Sequence, residues 1–370
     1  EAPPLTDDDR NWWAFRKPVR HPPPTPRRSK LVRSPVDAFL LIRLESQGLS
    51  FSDEADRATL LRRAALDLTG LPPTIAEFER FLQDPAADAW DRQIERLLES
   101  PHYGERWGRH WLDVARYGDT HGLHLDNERS MWAYRDWVVK ALNEDLPYDR
   151  FLLLQIAADQ AAPEDKKSLA AMGFLTLGRR FLGVSRDIID DRIDVVSRGL
   201  LGLTVSCSRC HDHKYDPISM ADYYSLYGVF ASSDEPKNEP STLRLVDKPN
   251  PVEPVIFRRG QPHNRGDQVP RRFLTALAGP DAAPFKKGSG RLELAEAIAS
   301  RDNPLTSRVF VNRIWAQLFG RGFVDTPSDF GVRTERPAHA ELMDYLASDL
   351  VDSNWSMKSL IRRIVSSETW

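Results

Sequence analysis

The chain has 370 residues, of which 41% are hydrophobic and 28% are charged, and its formal net charge is −3 at pH 7. These values fit a soluble globular protein long enough for two domains, and the small net charge gives no reason to expect binding to nucleic acid or to a membrane surface. No apolar run approaches the roughly 18 residues that a transmembrane helix requires, so we expect no transmembrane segment.

The first 34 residues are predicted to form an extended arm. Residues 10–33 contain eight lysines or arginines and no acidic residue, and five prolines interrupt them. Prolines at this density favour polyproline-like backbone. We interpret residues 1–34 as a basic, proline-rich arm lying along the protein surface; the alternative is a segment that holds an anionic partner.

A helical pattern begins at Pro35 and continues to residue 231. Apolar side chains recur at helical spacing, and local signals mark several boundaries. Thr74 and Glu77 form a predicted capping box, and Gly70 ends the helix before it. The predicted helices span residues 36–44, 58–68, 75–82, 88–98, 102–117, 130–142, 148–159, 168–177, 187–206 and 221–230.

The remainder of the chain is predicted to form a connection and a second helical domain. Nine prolines in residues 232–288 disfavour long helices there, although residues 255–257 fit a short strand. Helical spacing returns at residues 292–300, 306–319, 339–348 and 357–366. The predicted fold class is therefore mainly α, with two helical domains (residues 35–231 and 289–370) joined by an irregular proline-rich connection (residues 232–288).

The sequence Cys-Ser-Arg-Cys-His at residues 207–211 is the strongest chemical signal in the chain. Cys207 and Cys210 are the only two cysteines, and His211 follows directly. This spacing is typical of covalent haem c attachment, in which each thiol forms a thioether to the haem. His211 would then bind the iron as the proximal ligand.

Three other interpretations of this segment remain open. Cys207 and Cys210 could form a redox dithiol, although that chemistry is usually found in a βαβ context and the surrounding pattern is helical. With His211 and His213 they could bind zinc, although four ligands within seven residues would crowd one another. They could also be two buried thiols without a ligand.

An apolar stripe upstream predicts where the motif lies. The stripe consists of Ile189, Ile193, Val196, Leu200 and Leu203, which follow one another at steps of four, three, four and three residues. A further step of four residues reaches Cys207. A helix with this spacing buries one face. We therefore expect the motif to face a core in which an apolar macrocycle could be buried.

Several longer segments resemble the Planctomycete cytochrome c family. The resemblance lies in residues 100–107, 110–117, 134–138 and 207–218, and residues 312–315, 329–331 and 355–356 resemble the companion C-terminal helical domain of the same proteins. It covers residues 35–231 and 289–370. The sequence departs from the usual family pattern in two ways: no further cytochrome domain lies upstream in it, and the connection between the two shared regions, residues 232–288, is short.

The resemblance implies covalently bound haem c, an oxidoreductase or electron-transfer role, and a periplasmic or secreted protein. We accordingly expect an export signal to have preceded Glu1. The implied partners are a redox partner protein or cytochrome domain and, because such proteins look associated with polysaccharide breakdown, a polysaccharide substrate.

Two further sets of residues are candidates for the haem environment. His110, on a stripe with Trp107 and Trp111, is the first candidate for the sixth iron ligand, and His124 is the second. The segment 116–126 is dense in ionisable groups and is predicted to line the cavity beside the haem and to carry proton chemistry. Its candidate catalytic residues are Arg116, Asp119, His121, His124 and Asp126. The alternative is a polar surface loop.

The predicted function is electron transfer or haem-dependent redox catalysis. One alternative is a carbohydrate-active enzyme whose site lies at residues 116–126, with the haem as a relay or a structural staple. Another is a non-catalytic binding protein that haem stabilises.

Overall fold

A computed structural model describes residues 8, 11–120, 126, 128–179, 183–236 and 244–370. Helices account for 54% of it and strands for 4%, which confirms the mainly α fold class. Fifteen α-helices lie in the described part of the chain: α1 (Pro35–Ser46), α2 (Arg57–Thr69), α3 (Ile75–Gln83), α4 (Ala89–Glu99), α5 (Pro101–Val114), α6 (Trp132–Asn143), α7 (Tyr148–Ala161), α8 (Gly173–Thr176), α9 (Ser185–Val196), α10 (Met220–Ala231), α11 (Thr275–Ala278), α12 (Arg291–Ala299), α13 (Thr306–Phe319), α14 (Ala340–Asp352) and α15 (Met357–Val365).

Four short strands form two antiparallel pairs. Strand β1 (Ser233–Asp234) pairs with β2 (Val246–Asp247), and β3 (Val255–Phe257) pairs with β4 (Arg265–Gln268). In the second pair Val255 lies opposite Gln268. The short strand predicted at residues 255–257 is therefore present, within the proline-rich connection.

Local capping explains why several helices begin where they do. The predicted capping box forms at α3, where the Thr74 side chain accepts from the Glu77 backbone and the Glu77 carboxylate accepts from the Thr74 N–H at 2.8 Å. Ser219 and Asp222 form a second capping box at the start of α10. Each box satisfies backbone donors that a helix end leaves without intrahelical partners.

A single cluster of buried side chains includes residues from both helical regions. Tyr148 of α7 stacks on Phe310 of α13 with ring centroids 3.9 Å apart, and Phe39 of α1 lies 5.5 Å from Tyr345 of α14. Because these aromatic pairs come from helices far apart in sequence, the C-terminal helices complete the apolar core of the N-terminal ones.

Arg291, the first residue of α12, is fully buried between the two regions. Its guanidinium binds both carboxylate oxygens of Asp159 at 3.0 and 2.7 Å, and it donates to Asp247 at 2.7 Å. Its Nε also donates to Ser233 Oγ at 2.9 Å. A buried guanidinium is tolerated because these partners satisfy its charge and its donors.

Both ends of the described chain pack against distant elements. In the arm, the Trp12 indole donates to the Phe330 carbonyl at 3.2 Å, and Arg20 forms ion pairs with Asp349 at 3.0 Å and Asp352 at 2.6 Å. In α1, the buried Asp37 carboxylate accepts from the Thr369 backbone at 2.9 Å and from its hydroxyl at 2.8 Å. The arm therefore lies against the C-terminal helices.

None of the helices in the described residues is long and apolar enough to span a membrane.

Candidate functional site

The helix that leads to the cysteines ends earlier than its apolar pattern predicts. All five stripe residues from Ile189 to Leu203 are buried, as predicted. However, α9 ends at Val196, residues Ser197–Leu201 form a π-helical turn, and a separate 3-10 helix, Val205–Arg209, carries the first cysteine. The predicted continuous helix over residues 187–206 is therefore wrong from residue 197 onwards.

Gly202 causes this change of direction. It adopts φ of +60°, a left-handed conformation that favours glycine. A Cβ atom at this position would lie 2.8 Å from Phe330 Cδ2, and the Phe330 N–H donates to the Gly202 carbonyl at 2.7 Å. The chain turns where Phe330, from the loop between α13 and α14, packs against it.

The turn places the motif on the surface. Cys207 and Cys210 are exposed and carry free thiols, and His211 is exposed as well. The expectation that the stripe buries the motif in a core is therefore wrong, because the turn at Gly202 breaks the helical phase that would have continued the stripe. The interpretation as two buried thiols is wrong for the same reason.

The His211 ring is held in one orientation by the backbone of the next residue. Its Nδ1 lies 2.7 Å from the carbonyl oxygen of Asp212. A carbonyl oxygen only accepts, so Nδ1 carries the proton and Nε2 carries the free lone pair. Histidines that bind metals commonly show this arrangement, in which one ring nitrogen donates to a backbone carbonyl.

His213 is placed quite differently. Its side chain is 7% exposed, its Nδ1 accepts from the Asp216 backbone at 2.8 Å, and its Nε2 lies 3.1 Å from Thr204 Oγ1. Both ring nitrogens therefore hold the loop that follows the motif. Among the described residues no three His, Cys, Asp or Glu side chains are grouped so as to hold a metal ion, so the zinc interpretation is not supported.

Asp216 ties this loop to the C-terminal region. It is buried, and its carboxylate accepts from the Val332 N–H at 2.8 Å. Burial raises the pKa of Asp216, although the Val332 hydrogen bond and His213 oppose that shift. Gly331 lies directly against this carboxylate, because an added Cβ would be 2.3 Å from Asp216 Oδ1.

An aromatic cluster formed by Tyr223, Tyr224, Tyr227 and Phe257 supports the other side of the motif. The ring centroids of Tyr224 and Phe257 are 5.2 Å apart, and the Tyr224 hydroxyl donates to the Arg209 carbonyl at 2.9 Å. Arg209 in turn pairs with Asp187 at 2.8 Å. Arg209, one of the two residues between the cysteines, is therefore fixed through both its backbone and its side chain.

These residues fit covalent attachment of haem c at the protein surface. The two thiols are accessible, and His211 offers an exposed Nε2 whose ring is already oriented. Gly260, at φ of +68°, lies beside Cys210, and a Cβ there would come within 2.8 Å of the sulfur. Its lack of a side chain leaves space around this thiol.

His110 lies in a different place from the motif. Its ring packs edge-on against Trp107 with centroids 5.6 Å apart, and it lines a cavity that none of residues 207–211 line. Burial, followed by the nearby Arg106 and Arg109, lowers the pKa of His110 to about 4. None of the interactions found for His110 among the described residues involves residues 207–211, and its role as the sixth iron ligand stays a prediction.

The described part of the segment 116–126 makes contacts of its own. Arg116, at φ of +59°, pairs with Asp191 of α9, and Asp119 is exposed and accepts from the Tyr117 hydroxyl at 2.9 Å. Asp126 is exposed. His121 and His124 lie outside the described residues. None of the hydrogen bonds or ion pairs found for Arg116 and Asp119 involves residues 207–211.

The sequence indicates the turn at Gly202 but not the distant residues that pack against it. Gly202 is a local signal, since glycine often ends helices in the left-handed conformation. The contacts of Phe330 with Gly202 and of Val332 with Asp216 join segments more than 100 residues apart, and no local pattern indicates them.

Two family models match the chain. PSCyt2, described as "Protein of unknown function (DUF1549)", matches residues 35–235, and PSD1, described as "Protein of unknown function (DUF1553)", matches residues 290–370. Both are typical of planctomycete proteins, and neither description names a cytochrome. No curated protein and no solved structure matches the chain. The matched ranges lie close to the two regions of resemblance, residues 35–231 and 289–370.

Proposed function

We propose that this chain, which belongs to the PSCyt2 family of proteins of unknown function (DUF1549), is a c-type haem protein of the electron-transfer class. Cys207 and Cys210 would hold the haem through thioether bonds, and His211 would bind the iron through Nε2. When bound, the group supplies one-electron redox chemistry. One observation supports this assignment most directly: both thiols and His211 are exposed side by side, and the His211 ring is held by the Asp212 carbonyl 2.7 Å away.

The protein's own residues serve three tasks at this site. Asp212 fixes which nitrogen of His211 carries the proton, so the other is available without a change of tautomer. Gly260 leaves space beside the Cys210 sulfur. The Tyr224 hydroxyl and the Asp187 carboxylate hold Arg209, which keeps the 3-10 turn rigid between the two thiols.

The exposure of the motif favours exchange of electrons with another protein over catalysis in a closed pocket. A surface site lets a redox partner approach, whereas catalysis on a bound substrate requires a cavity that excludes water. Covalent haem attachment also implies a periplasmic or secreted protein. A redox partner protein or cytochrome domain is therefore the expected partner.

Mass spectrometry of the full chain, produced with a haem c maturation system in the periplasm, tests the proposal. The intact mass should exceed that of the polypeptide by one haem, and the haem should stay with the protein through acid-acetone extraction. Cys207→Ala with Cys210→Ala should abolish this retention, because no thioether can form. His211→Ala should change the visible spectrum by removing an iron ligand.

His263→Ala is the matched control, because His263 is an exposed histidine outside the motif. Its mass and spectrum should equal those of the wild type. A wild-type mass equal to that of the bare polypeptide would refute the proposal. A mass two hydrogens lower, which reports a Cys207–Cys210 disulfide, would favour the redox dithiol instead.

A further inference from the structure

A cavity of about 90 Å³ lies between helices of the two family-matched regions. Helices α5, α13 and α15 contribute to its lining. Most of its wall is apolar, including Phe151, Phe310 and Ile361. An apolar cavity with a few polar groups is the usual character of a small-molecule site.

Two buried side chains in this lining have hydrogen-bonding atoms without partners. Tyr103 is 0% exposed and Trp107 is 4% exposed, and neither the Tyr103 hydroxyl nor the Trp107 indole nitrogen has a hydrogen-bond partner. Buried polar atoms are almost always hydrogen-bonded, because their transfer from water is otherwise costly. Both atoms can donate, so an acceptor is the missing partner.

The cavity also contains a guanidinium without an ion pair. Arg313 lines it, and the partners found for Arg313 among the described residues are a carbonyl and a hydroxyl rather than a carboxylate. Its Nε is buried without a partner, whereas its Nη2 donates to the Arg198 carbonyl and to Ser328 Oγ, both at 3.2 Å. The Arg313 side chain is partly buried, and its buried Nε still lacks an acceptor, so an anion in the cavity would supply one.

The other ionisable groups of the lining do not supply that anion. Asp113 is the one carboxylate among the described lining residues, and it is exposed rather than paired with Arg313. His110 lines the cavity too, and burial keeps its ring neutral at pH 7. The polar part of the wall therefore consists mainly of donors, and its one partly buried charge among the described lining residues is the Arg313 guanidinium.

We propose that this cavity binds a short-chain monocarboxylate, between acetate and butyrate in size. The carboxylate would accept from Tyr103, Trp107 and Arg313, and the alkyl chain would contact the apolar wall. The size follows from the volume, because a dry cavity of about 150 Å³ holds benzene and this cavity is smaller. The inference is independent of the haem proposal, because none of residues 207–211 lines the cavity.

Isothermal titration calorimetry of the full chain with sodium acetate, propionate and butyrate tests the inference. At least one carboxylate should give a saturable heat, and propionamide, which matches propionate in shape but lacks its charge, should bind at least tenfold more weakly. Trp107→Phe and Tyr103→Phe each remove one donor with little change of shape. Each should weaken carboxylate binding by about tenfold, since hydrogen bonds to charged groups are the stronger ones.

Trp370→Phe is the control, because the Trp370 indole nitrogen is also buried without a partner but lies outside this cavity. It should leave carboxylate binding unchanged. Thermal melts of all variants establish that they fold. The inference is overturned if no carboxylate gives a saturable heat. It is also overturned if propionamide binds as tightly as propionate, or if folded Trp107→Phe and Tyr103→Phe proteins both bind like the wild type.

Discussion

Replacing Arg291 with methionine should lower the free energy of unfolding by about 3–5 kcal/mol, the usual cost of removing one partner from a buried ion pair. Arg291 is fully buried, and the side chains of Asp159 and Asp247 are only 13% and 22% exposed. Methionine fills much of the same volume but offers no donor. The variant therefore leaves two carboxylates near the core without their cation.

The loss should depend on pH with a defined sign. Burial opposes ionisation of Asp247, but Arg291 and the Ser289 hydrogen bonds prevail and lower its pKa in the folded protein. A lowered folded-state pKa adds stability above the unfolded value of about 3.9, and that stability is lost as the pH falls through the folded pKa. The difference between wild type and Arg291→Met should therefore be largest near neutral pH and shrink below pH 4.

Urea unfolding followed by circular dichroism at pH 7 and at pH 3 measures both quantities. Arg301→Met is the matched control, because Arg301 pairs with Asp352 at 3.1 Å but its side chain is 66% exposed, so little change is expected. Adding Asp159→Asn and Asp247→Asn to Arg291→Met should restore part of the stability, because the uncompensated charges are removed. A loss below about 1 kcal/mol in Arg291→Met would refute the reasoning from buried charge.

Two further predictions concern the site region. Gly202→Ala should destabilise the protein by about 1–3 kcal/mol, because it combines left-handed strain with a clash against Phe330. Gly320→Ala is the control and should cost less, because Gly320 has φ of +79° but nothing lies within 4 Å of an added Cβ. Equal melting temperatures of the two variants would contradict this prediction. His110 should stay neutral between pH 5 and pH 8, as followed by its imidazole NMR signals, because its pKa is lowered to about 4. Because the unfolded histidine binds a proton near pH 6.5 and the folded one does not, stability should fall as the pH drops from about 6.5 towards 4, and His110→Gln should remove that part of the slope.

The sequence is sufficient to predict the bounds of helices that have a regular apolar spacing and clear end signals. The helix predicted at residues 306–319 has those bounds in the structure, because its apolar spacing is regular and Gly320 ends it at φ of +79°. The stripe that leads towards Cys207 is equally regular, yet the prediction failed there. Its spacing continues through Gly202, and the contact that turns the chain comes from Phe330, 128 residues further on.

The candidate sites also differ in whether they depend on local or on long-range contacts. The Cys207–His211 spacing and the contact between His211 and Asp212 are local, so the sequence contains the information for them. The partners of His110 are not local, because the cavity that His110 lines is completed by Arg313 from a helix some 200 residues away. Periodicity placed His110 on a buried stripe, but it could not indicate which distant side chains share that space.

The contact between Asp37 and Thr369 has a consequence for biosynthesis. These residues lie 332 positions apart. At a translation rate of about 5–20 residues per second, roughly 17–66 s separate the synthesis of the first from that of the second. During that interval Phe39 lacks Tyr345, which lies 306 positions later, so α1 cannot bury its apolar face in the native way. Helix α1 can therefore reach these native contacts only after the residues up to Thr369 have been synthesised, and its apolar face stays without those partners until then.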